Sequence, residues 1–451
     1  MNTSDFADSA PAIAFVSLGC PKAGADAEAL LTRLKAAGFA LTHDFGTAAC
    51  VIINTCGFVD DAIDESFLAI DEVLSQNNNV FVTGCLGAKK DLILKKFPQV
   101  LGISGPNQID EVLSQIVGVL GSPQKNSGDF EDSRILLTPP HFAYLKIAEG
   151  CNQACSFCII PQLRGSLHSR AFNEIMLEAQ MLVKSGVKEI IVVAQDTAAY
   201  GVDIRYRTGF WKGRPVKSNI VELCKALASF GVWVRLHYVY PYPSVDSLVE
   251  LMATGKILPY LDIPLQHANP QILKAMRRPA AVENMLQRIQ KWREICPEIA
   301  LRSTFIVGFP GETDRDFEDL LDFLEIAQLD RVGVFEYSAV DGAPANALPN
   351  AVSEEVKAMR KLWLLETQTQ ISQKKLSREV GKIECVLVDS VDDEGAIARR
   401  RLDAPDVDGV VYLNDFFDVC PGDFLDVEIT DSDAHDLYAK PLKPTVDSNF
   451  S

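Results

Sequence analysis

The stretch Cys151-Asn-Gln-Ala-Cys155-Ser-Phe157-Cys158 carries three cysteines in the spacing C-x3-C-x2-C. It directly follows a predicted strand, Phe142–Ala148, which opens a series of strand–helix units. In barrels built from such units, the chemistry lies in the loops at the carboxyl ends of the strands. Three thiolates on one short loop can bind three irons of a cubane iron–sulfur cluster and leave the fourth iron open. The stretch therefore predicts a metal centre at one end of a parallel barrel.

A zinc site is the main alternative for this loop. It would need a further protein ligand, for which the more distant His168 is the candidate. Structural zinc sites usually pair their ligands as C-x2-4-C and close at four ligands. The open three-cysteine spacing fits that pattern poorly, so an iron–sulfur cluster is favoured.

The barrel prediction depends on six apolar segments, each followed by a helical pattern. These segments are Phe142–Ala148, Glu189–Ala194, Trp233–Tyr238, Tyr260–Ile263, Leu301–Val307 and Arg331–Tyr337. A complete TIM barrel has eight such units. Residues 137–376 are therefore predicted to form a partial (β/α)6 TIM-like barrel, which a long helix from Ser353 to about Leu376 closes.

Upstream of this barrel, residues 12–120 also alternate strands with helices, which predicts an α/β domain with an open parallel sheet. The predicted strands are Ile13–Leu18, Val51–Asn54, Val80–Thr83 and Val100–Ile103. The predicted helices are Ala25–Ala37, Val59–Leu74, Lys89–Lys96 and Gln108–Val119.

Three further cysteines share one context in this sheet. Cys20, Cys56 and Cys85 each directly follow a predicted strand and have a glycine beside them. The carboxyl ends of parallel strands converge on the ligand crevice of an open sheet, so we predict that these thiolates hold a second cluster with an open iron. Buried structural cysteines are the alternative, since free cysteine is among the most buried residue types. That alternative suits the other five cysteines better: Cys50, Cys224, Cys296, Cys385 and Cys420.

The C-terminal part of the sequence has a different pattern of predicted elements. Residues 121–136 are polar, with glycine and proline, and predict a linker before the barrel. Beyond residue 377 the sequence predicts short strands at Ile383–Val388, Gly409–Leu413 and Phe424–Ile429. Residues 377–441 should therefore form a small all-β barrel, with a frayed tail over 442–451. Between Lys382 and Asp436 lie 4 basic and 16 acidic residues, so much of the negative charge is concentrated here.

The composition predicts a multi-domain cytoplasmic protein. The chain has 451 residues and a net charge of −18, and 47% of its residues are hydrophobic. No apolar run reaches the ~18 residues of a membrane span, and residues 1–11 predict a disordered leader without the features of a secretion signal. Eleven cysteines in the cytosol point to metal or catalytic roles. An acidic chain predicts a basic partner and little direct nucleic-acid binding, although a local basic patch can hide inside an acidic total.

The first cysteine loop, with the aromatic Phe157 before its last cysteine, resembles the radical S-adenosylmethionine (SAM) enzymes. In that superfamily the open iron chelates the amino and carboxylate groups of SAM. One electron then splits SAM into methionine and a 5′-deoxyadenosyl radical. A cofactor is needed for such chemistry because an unactivated C–H bond has no proton that a side-chain base could remove.

The same resemblance implies further cofactor contacts. Gln195 and Asp196 would contact the amino group of SAM, and Arg235 would clamp its carboxylate, which a guanidinium matches bidentately. Ile306 and Gly308 would lie against the adenine. Structural alternatives exist: an N-cap for Asp196, a structural ion pair for Arg235, and a tight βα turn at Gly308.

Together, the two cysteine sets and the C-terminal barrel resemble the methylthiotransferases. Members of that family combine an N-terminal cluster-binding domain, a radical SAM domain and a TRAM barrel, and the resemblance runs from Ile13 to about Lys440. It implies two 4Fe-4S clusters, SAM, and an electron donor such as flavodoxin or ferredoxin. The N-terminal cluster would supply or carry the sulfur group, and the radical would activate the substrate carbon.

Two branches of this family are considered. One acts on modified adenosines of tRNA, and the other, RimO-like, acts on an aspartate of a ribosomal protein. The segments Ser-Leu-Gly-Cys20-Pro-Lys, Asn-Thr-Cys56-Gly-Phe-Val-Asp and Val-Thr-Gly-Cys85-Leu-Gly resemble the second branch, and an anionic barrel suits a basic ribosomal protein. The implied reaction is methylthiolation of an aspartate β-carbon in the twelfth protein of the small subunit, free or on the assembling subunit. A non-catalytic iron–sulfur or zinc protein is the remaining alternative.

Three positions depart from the family pattern. Ala23 stands where Asn is usual, Asp26-Ala27-Glu28 takes the place of Asp-Ser-Glu, and Ala49 stands where Asp is usual. None of these departures removes a predicted ligand. Arg164 and Arg170, just after the first cysteine loop, either hold an acidic substrate side chain, shape the cavity, or belong to a solvated basic loop.

Overall fold

The computed structural model describes residues 10–123, 134–278 and 285–442. Residues 1–9 of the predicted leader, 124–133 of the predicted linker and 443–451 of the predicted tail lie outside the described residues. In the described part of the chain, no helix is both long enough and apolar enough to cross a lipid bilayer.

The N-terminal domain is an open parallel sheet with helices against it. Its strands are β1 (Ala12–Ser17), β2 (Ala40–Thr42), β3 (Cys50–Thr55), β4 (Val80–Gly84) and β5 (Gly102–Ile103), in the order β2-β1-β3-β4-β5. The helices are α1 (Pro21–Ala36), α2 (Asp60–Gln76), α3 (Lys90–Lys96) and α4 (Ile109–Leu120). Strands β3 and β4 are buried along their whole length, as their continuous apolar runs require. The predicted architecture is confirmed, and the short edge strand β2 is an addition to it.

The central domain is a partial barrel of six parallel strands. The strands are β6 (Phe142–Lys146), β9 (Glu189–Val193), β12 (Trp233–Leu236), β13 (Tyr260–Asp262), β14 (Ala300–Val307) and β15 (Arg331–Glu336), in chain order. Two antiparallel pairs lie in its loops: β7 (Ala148–Glu149) with β8 (His168–Ser169), and β10 (Thr208–Trp211) with β11 (Arg214–Lys217). The sheet is not closed between β6 and β15, which confirms the partial barrel.

Eight helices of the described residues follow these strands. They are α5 (Ile160–Arg164), α6 (Phe172–Lys184), α7 (Ile220–Ala228), α8 (Val245–Ala253), α9 (Pro270–Ala275), α10 (Met285–Ile295), α11 (Asp314–Ala327) and α12 (Glu354–Leu376). The outward faces of the strands, exemplified by Leu145, Val192 and Phe305, are buried in one large apolar cluster with these helices. This packing holds the strand ends, and therefore the loops that follow them, in fixed positions.

The C-terminal domain is a closed five-stranded barrel. Its strands are β16 (Ile383–Val391), β17 (Gly395–Arg400), β18 (Val411–Asn414), β19 (Phe424–Ser432) and β20 (Leu437–Pro441). Small apolar side chains such as Val386, Ala398 and Ile429 fill its interior. The predicted all-β barrel is confirmed, with β17 and β20 as strands that the sequence pattern did not predict.

This barrel seals the amino end of the central barrel through buried ion pairs. Glu189, at the start of β9, accepts a hydrogen bond from Arg235 Nε at 2.6 Å and lies 2.9 Å from Arg399 Nη1. The three side chains are at most 1% exposed. Nearby, the Tyr260 hydroxyl donates to Asp408 Oδ2 at 2.7 Å. This interface between the C-terminal barrel and the central barrel, which we call the seam, is thus polar but almost free of solvent.

The position of Arg235 corrects the expected contact with the SAM carboxylate. Besides Glu189, its guanidinium donates to the carbonyl of Arg401 at 3.1 Å and stacks 4.7 Å from the ring centroid of Tyr260. All these contacts lie at the amino end of the barrel, whereas the cysteine loop follows the carboxyl end of β6. Arg235 is therefore held in a structural ion pair, the alternative considered for it.

Glu189→Gln should destabilise the protein strongly. Arg235 has no other carboxylate within ion-pairing distance among the described residues, and breaking a buried pair from one side typically costs about 3–5 kcal/mol. Urea denaturation followed by circular dichroism measures this loss. As a control, Glu222→Gln disrupts an exposed pair with Lys225 and should change stability by less than about 1 kcal/mol. Equal denaturation midpoints for the two variants would contradict the proposed energetic role of the seam.

Candidate functional site

The first cysteine loop is held in place by hydrogen bonds to the rest of the barrel. The Cys151 amide donates to Gly165 O at 3.1 Å, and the Ser156 hydroxyl donates to Ala275 O at 2.8 Å. Ser156 N also donates to Met276 O at 3.0 Å, which ties the loop to the end of α9. The loop geometry is therefore set by neighbouring elements before any metal is considered.

Each sulfur of this loop faces an N–H donor. The Gln153 amide points at Cys151 Sγ and the Ile160 amide at Cys158 Sγ, both at 3.4 Å. The guanidinium of Arg278 lies 3.7 Å from Cys155 Sγ. Donors directed at sulfur stabilise thiolates, and hydrogen bonds of this kind tune the potentials of iron–sulfur clusters. The three sulfurs thus have surroundings that fit anionic cluster ligands.

In the metal-free protein two thiols of this loop, Cys151 and Cys158, resist ionisation. Burial raises the pKa of Cys151 to about 11 and that of Cys158 to about 12. Since a metal binds the thiolate, loading this loop with iron must release protons and is favoured by higher pH.

The second cysteine set lies at the carboxyl ends of β1, β3 and β4. Cys20 precedes α1, Cys56 follows β3, and Cys85 follows β4. A Cβ atom placed on Gly19 would lie 3.5 Å from Cys56 Cβ, and one placed on Gly57 would lie 2.9 Å from the carbonyl carbon of Cys85. The three loops therefore touch, and a side chain at residue 57 would force them apart. The structure brings the three predicted ligands together.

The thiols of this set differ in acidity. Burial raises the pKa of both Cys56 and Cys85, and a charge on Cys20 adds to the increase. Burial also acts to raise the pKa of Cys20, but the positive charge of Lys22, assisted by backbone amides and Arg164, outweighs it and lowers the pKa. Cys20 is therefore the thiol of this set that ionises most readily.

Neither set has the geometry of a single-ion site. In residues 10–123, 134–278 and 285–442, no three Cys, His, Asp or Glu side chains are close enough to share one metal ion. Ligands that each bind a different iron of a cluster need not approach one another so closely. His168, the candidate fourth zinc ligand, is exposed. Its backbone lies opposite Glu149 in the antiparallel β7–β8 pair.

Gln195 and Asp196 present buried acceptors beside the first loop. Gln195 Nε2 donates to Glu149 Oε1 at 2.6 Å, while Asp196 Oδ2 accepts from the Tyr242 hydroxyl at 2.8 Å and from Gln153 Nε2 at 3.2 Å. Gln195 Oε1 and Asp196 Oδ1 are buried and accept no hydrogen bond from the described residues. Unsatisfied buried acceptors are costly and call for a donor. The amino group of SAM is a donor of suitable chemistry.

Asp196 does not serve as a side-chain N-cap. It precedes the short 3-10 helix Thr197–Ala199, but its carboxylate makes no capping hydrogen bond. Burial raises its pKa, against the effect of the hydrogen bonds from Tyr242 and Gln153. A cationic ligand group would reverse this penalty by favouring the carboxylate form.

The remaining predicted cofactor-binding residues, Phe157, Ile306 and Gly308, divide into two groups. Phe157 and Ile306 pack against one apolar cluster that includes Phe309 and Tyr337. Gly308 has a φ of +72°, and a Cβ there would lie 2.2 Å from Lys357 Cγ. A tight turn beside the Lys357 stem thus accounts for Gly308, whereas Phe157 and Ile306 supply apolar surface next to the cysteine loop.

A buried charge network reaches from Cys85 of the second set to Glu149, two residues before Cys151 of the first loop. Arg164 donates through Nε to Cys85 Sγ at 3.2 Å, and through Nη1 to Asp26 Oδ2 and Glu149 Oε1, both at 3.0 Å. Lys146 contacts both carboxylates, at 2.7 Å in the case of Glu149 Oε2. Burial disfavours the Glu149 carboxylate, but Lys146 and Arg164 overcome this and lower its pKa. We call these four charged residues, Asp26, Lys146, Glu149 and Arg164, the clasp.

The clasp is a part of the site that the sequence analysis did not predict. Arg164 is buried rather than solvated, and its Nη2 has no hydrogen-bond partner among the described residues. Arg170 donates to the backbone carbonyl of Lys146 and to Glu178, each at 2.6 Å. Asp26 belongs to the Asp26-Ala27-Glu28 segment, where the acidic positions of the family pattern are retained. Since Asp26 and Arg164 are 138 residues apart, no local pattern could have paired them.

A second contact between the domains lies beside Cys20. Lys22 Nζ is 3.2 Å from the ring centroid of Tyr238, which has a left-handed φ of +59°. Such a backbone conformation is uncommon for an aromatic residue and is retained where the surroundings enforce it. No local pattern predicted this cation–π pair, which places Tyr238, at the carboxyl end of β12, next to the second cysteine set.

Comparison with known proteins follows the same division into domains. Residues 145–324 match the radical SAM superfamily, residues 380–442 the TRAM domain, and residues 12–105 the uncharacterized protein family UPF0004. The chain is 57% identical over 431 residues to "Ribosomal protein uS12 methylthiotransferase RimO" of Dechloromonas aromatica, covering 95% of this chain and 98% of that protein. The chain belongs to the RimO family of methylthiotransferases.

A second RimO relative leads to the same assignment. The protein of that name from Aromatoleum aromaticum is 57% identical, with 96% of this chain and 98% of the relative covered. Membership of the RimO family confirms the predicted family and favours its ribosomal-protein branch over the tRNA branch. It also confirms that the chain is a methylthiotransferase enzyme that belongs to the radical SAM enzymes.

Solved structures resemble the RimO-family chain in fold. The radical SAM methyltransferase TsrM from Kitasatospora setae, with cobalamin and a [4Fe-4S] cluster bound, matches with a TM-score of 0.52 at 14% identity. The match covers 73% of this chain and 75% of TsrM. A second TsrM structure, with tryptophan and a SAM analogue bound, also has a TM-score of 0.52. At such low identity the likeness concerns the fold alone.

Proposed function

We propose that this chain is a radical SAM methylthiotransferase that adds a methylthio group to the β-carbon of an aspartate in ribosomal protein uS12. The proposal includes two 4Fe-4S clusters, one on Cys151, Cys155 and Cys158 and one on the second cysteine set. The observation that supports it is that Arg164 donates both to Cys85 of the second set and to Glu149, two residues before the first cysteine loop. The relatives named for uS12 modification support the choice of substrate.

The two sites have separate tasks in this proposal. A cluster with SAM on the first loop would supply one-electron chemistry able to remove a hydrogen atom from an unactivated carbon. Gln195 Oε1 and Asp196 Oδ1 would accept hydrogen bonds from the SAM amino group, and Phe157 and Ile306 would flank its apolar part. The second set would hold the sulfur source, and the clasp would fix its distance from the first loop.

The partner follows from charge. The C-terminal barrel is strongly acidic, and opposite charge accelerates encounter with a basic protein such as a ribosomal subunit protein. We propose that uS12 is met in the cytoplasm, free or on the assembling subunit. The electron would come from a small redox protein such as flavodoxin or ferredoxin.

Mass spectrometry of ribosomes tests the proposed substrate. A strain without this protein should contain uS12 that lacks the mass of one methylthio group, and restoring the wild-type chain should restore that mass. The tRNA nucleosides of the same cells serve as the comparison. Loss of a methylthiolated nucleoside with uS12 unchanged would overturn the assignment in favour of the tRNA branch.

Arg164→Lys should lower methylthio transfer about 10- to 100-fold, the usual effect of losing a group that orients a metal ligand. Lysine keeps the positive charge but cannot donate to Cys85, Asp26 and Glu149 at once. We expect SAM cleavage to continue and the electron paramagnetic resonance signal of the N-terminal cluster to shift. Arg170→Lys is the matched control, because Arg170 touches the clasp only through the backbone carbonyl of Lys146 and otherwise pairs with Glu178. Identical spectra for wild type and Arg164→Lys would contradict this positioning role.

A further inference from the structure

The β10–β11 hairpin and the residues before it carry an unusual surface for an acidic protein. Residues 202–217 contain five cations, Arg205, Arg207, Lys212, Arg214 and Lys217, and all five are exposed. Two aromatic side chains lie among them: Phe210 is 66% exposed and Tyr206 is 48% exposed. We call these seven residues the basic hairpin surface.

The hairpin is a preformed structure. Lys212 and Gly213 both have positive φ, +47° and +75°, as a two-residue type I′ turn requires. Trp211 and Val216, on the inner face, pack against the large apolar cluster of the barrel. Phe210 lies opposite Pro215 and faces outward, because side chains alternate along a strand. The outward side chains are thus presented by a packed support.

The cations of this surface have few contacts among the described residues: Lys212 Nζ lies 5.7 Å from the ring centroid of Trp211 and 5.9 Å from that of Phe230. None of the five makes an ion pair, and none donates a side-chain hydrogen bond, within the described parts of the chain. The single carboxylate of the segment, Asp203, accepts hydrogen bonds from the amide and hydroxyl of Ser169, at 2.9 and 2.6 Å. The positive charge is therefore free to act on an external partner, although the chain as a whole has a net charge of −18.

The basic hairpin surface is tethered to an element of the functional site. Its segment begins six residues after Asp196, and Asp203 is bonded to Ser169 of β8, which pairs with β7. Strand β7 contains Glu149 of the clasp. A partner on this surface would consequently bind to a segment that is fixed to the strand pair of the clasp.

We propose that the basic hairpin surface binds RNA with unstacked bases. The phosphates of RNA suit the five exposed cations. The exposed aromatic rings offer stacking platforms for bases, and a partner bound by charge alone would not need such rings. The C-terminal barrel cannot provide this contact through Arg399 and Arg400, because both are buried in ion pairs with Asp389 and Asp403. The inference goes beyond the proposed reaction and replaces the expectation of little nucleic-acid binding.

Fluorescence anisotropy with a labelled single-stranded 20-nucleotide RNA of mixed sequence tests the proposal on the reconstituted full chain. The variant R207Q/R214Q/K217Q should bind on the order of 10- to 100-fold more weakly, and the slope of log affinity against log salt should fall in magnitude by about 2. The control K90Q/K95Q/K374Q removes the same charge from exposed lysines elsewhere and should change affinity less than about twofold. Equal losses in both variants would overturn a localised site.

Phe210→Ala separates RNA from an acidic protein as the partner. Loss of one stacking platform should weaken RNA binding about fivefold or more, while binding of poly-L-glutamate stays unchanged. RNA affinity within twofold of wild type in both hairpin variants, or poly-L-glutamate binding as tight as RNA binding, would overturn the proposal. SAM cleavage by the same variants should stay at the wild-type rate, so a failure here is distinguishable from a failure of the proposed reaction.

Discussion

Replacing Cys151, Cys155 and Cys158 together by alanine should abolish the formation of 5′-deoxyadenosine from SAM. The loop then offers no thiolate to iron, so the cofactor loses its anchor although Gln195 and Asp196 remain. The second cysteine set is carried by a separate sheet and should still load, leaving about half of the iron of the reconstituted wild-type protein. Iron analysis and chromatography of the SAM products measure the two effects.

Cys224→Ala is the matched control for that variant. Cys224 is fully buried in α7, away from both cysteine sets, and its loss should leave iron content and SAM cleavage at the wild-type level. SAM cleavage at the wild-type rate in the triple variant would refute the assignment of the first loop. Complete loss of iron would instead contradict the independence of the two sites.

Replacing Cys20, Cys56 and Cys85 together by alanine should give the complementary result. SAM cleavage should continue, because the first loop, Gln195 and Asp196 are untouched. Methylthiolation of uS12 should fall to background, since the sulfur source would have no ligands on the protein. A mass increase of a methylthio group on uS12, followed over time with the reconstituted enzyme, is the measurement.

Cys50→Ala is the control in this domain. Cys50 begins β3, the strand that leads to Cys56, and burial raises its pKa to about 12 without any charged partner. We expect this variant to methylthiolate uS12 like the wild type. Persistent methylthiolation in the Cys20, Cys56 and Cys85 variant would show that the second set is not where sulfur is held.

Much of the fold could be predicted from the sequence because buried parallel strands have local signatures. The runs Val51–Asn54 and Val80–Thr83 are apolar up to their last residue and lie inside β3 and β4. Among the strands that were missed, Ala40–Thr42 is an edge strand, and Gly395–Arg400 and Leu437–Pro441 are strands of mixed polarity in a small barrel. Their pairing depends on neighbours that are distant in the chain, which a local pattern cannot show.

The residues of the candidate site likewise divide into those that the sequence could place and those that it could not. Cys151, Cys155 and Cys158 lie on one short loop, so their spacing alone predicts a shared ligand. Cys20, Cys56 and Cys85 could be grouped because the ends of neighbouring parallel strands must lie side by side. Arg235 could not be placed, since the same side chain on β12 fits either end of the barrel until Glu189 and the C-terminal domain are present.

The amino-acid sequence by itself determined the three-domain architecture, the two cysteine triads and the family, because these follow from periodicity, spacing and short segments. Only the tertiary structure decided that Arg164 joins Cys85 to Asp26 and Glu149, that Arg235 and Arg399 share Glu189, and that the hairpin cations make no ion pair with the described residues. The physical reason is that a buried charge must find its partner in space. Asp26 and Arg399 come from other domains than their partners Arg164 and Glu189, and all of these partners are distant in the chain, so packing sets which of them meet.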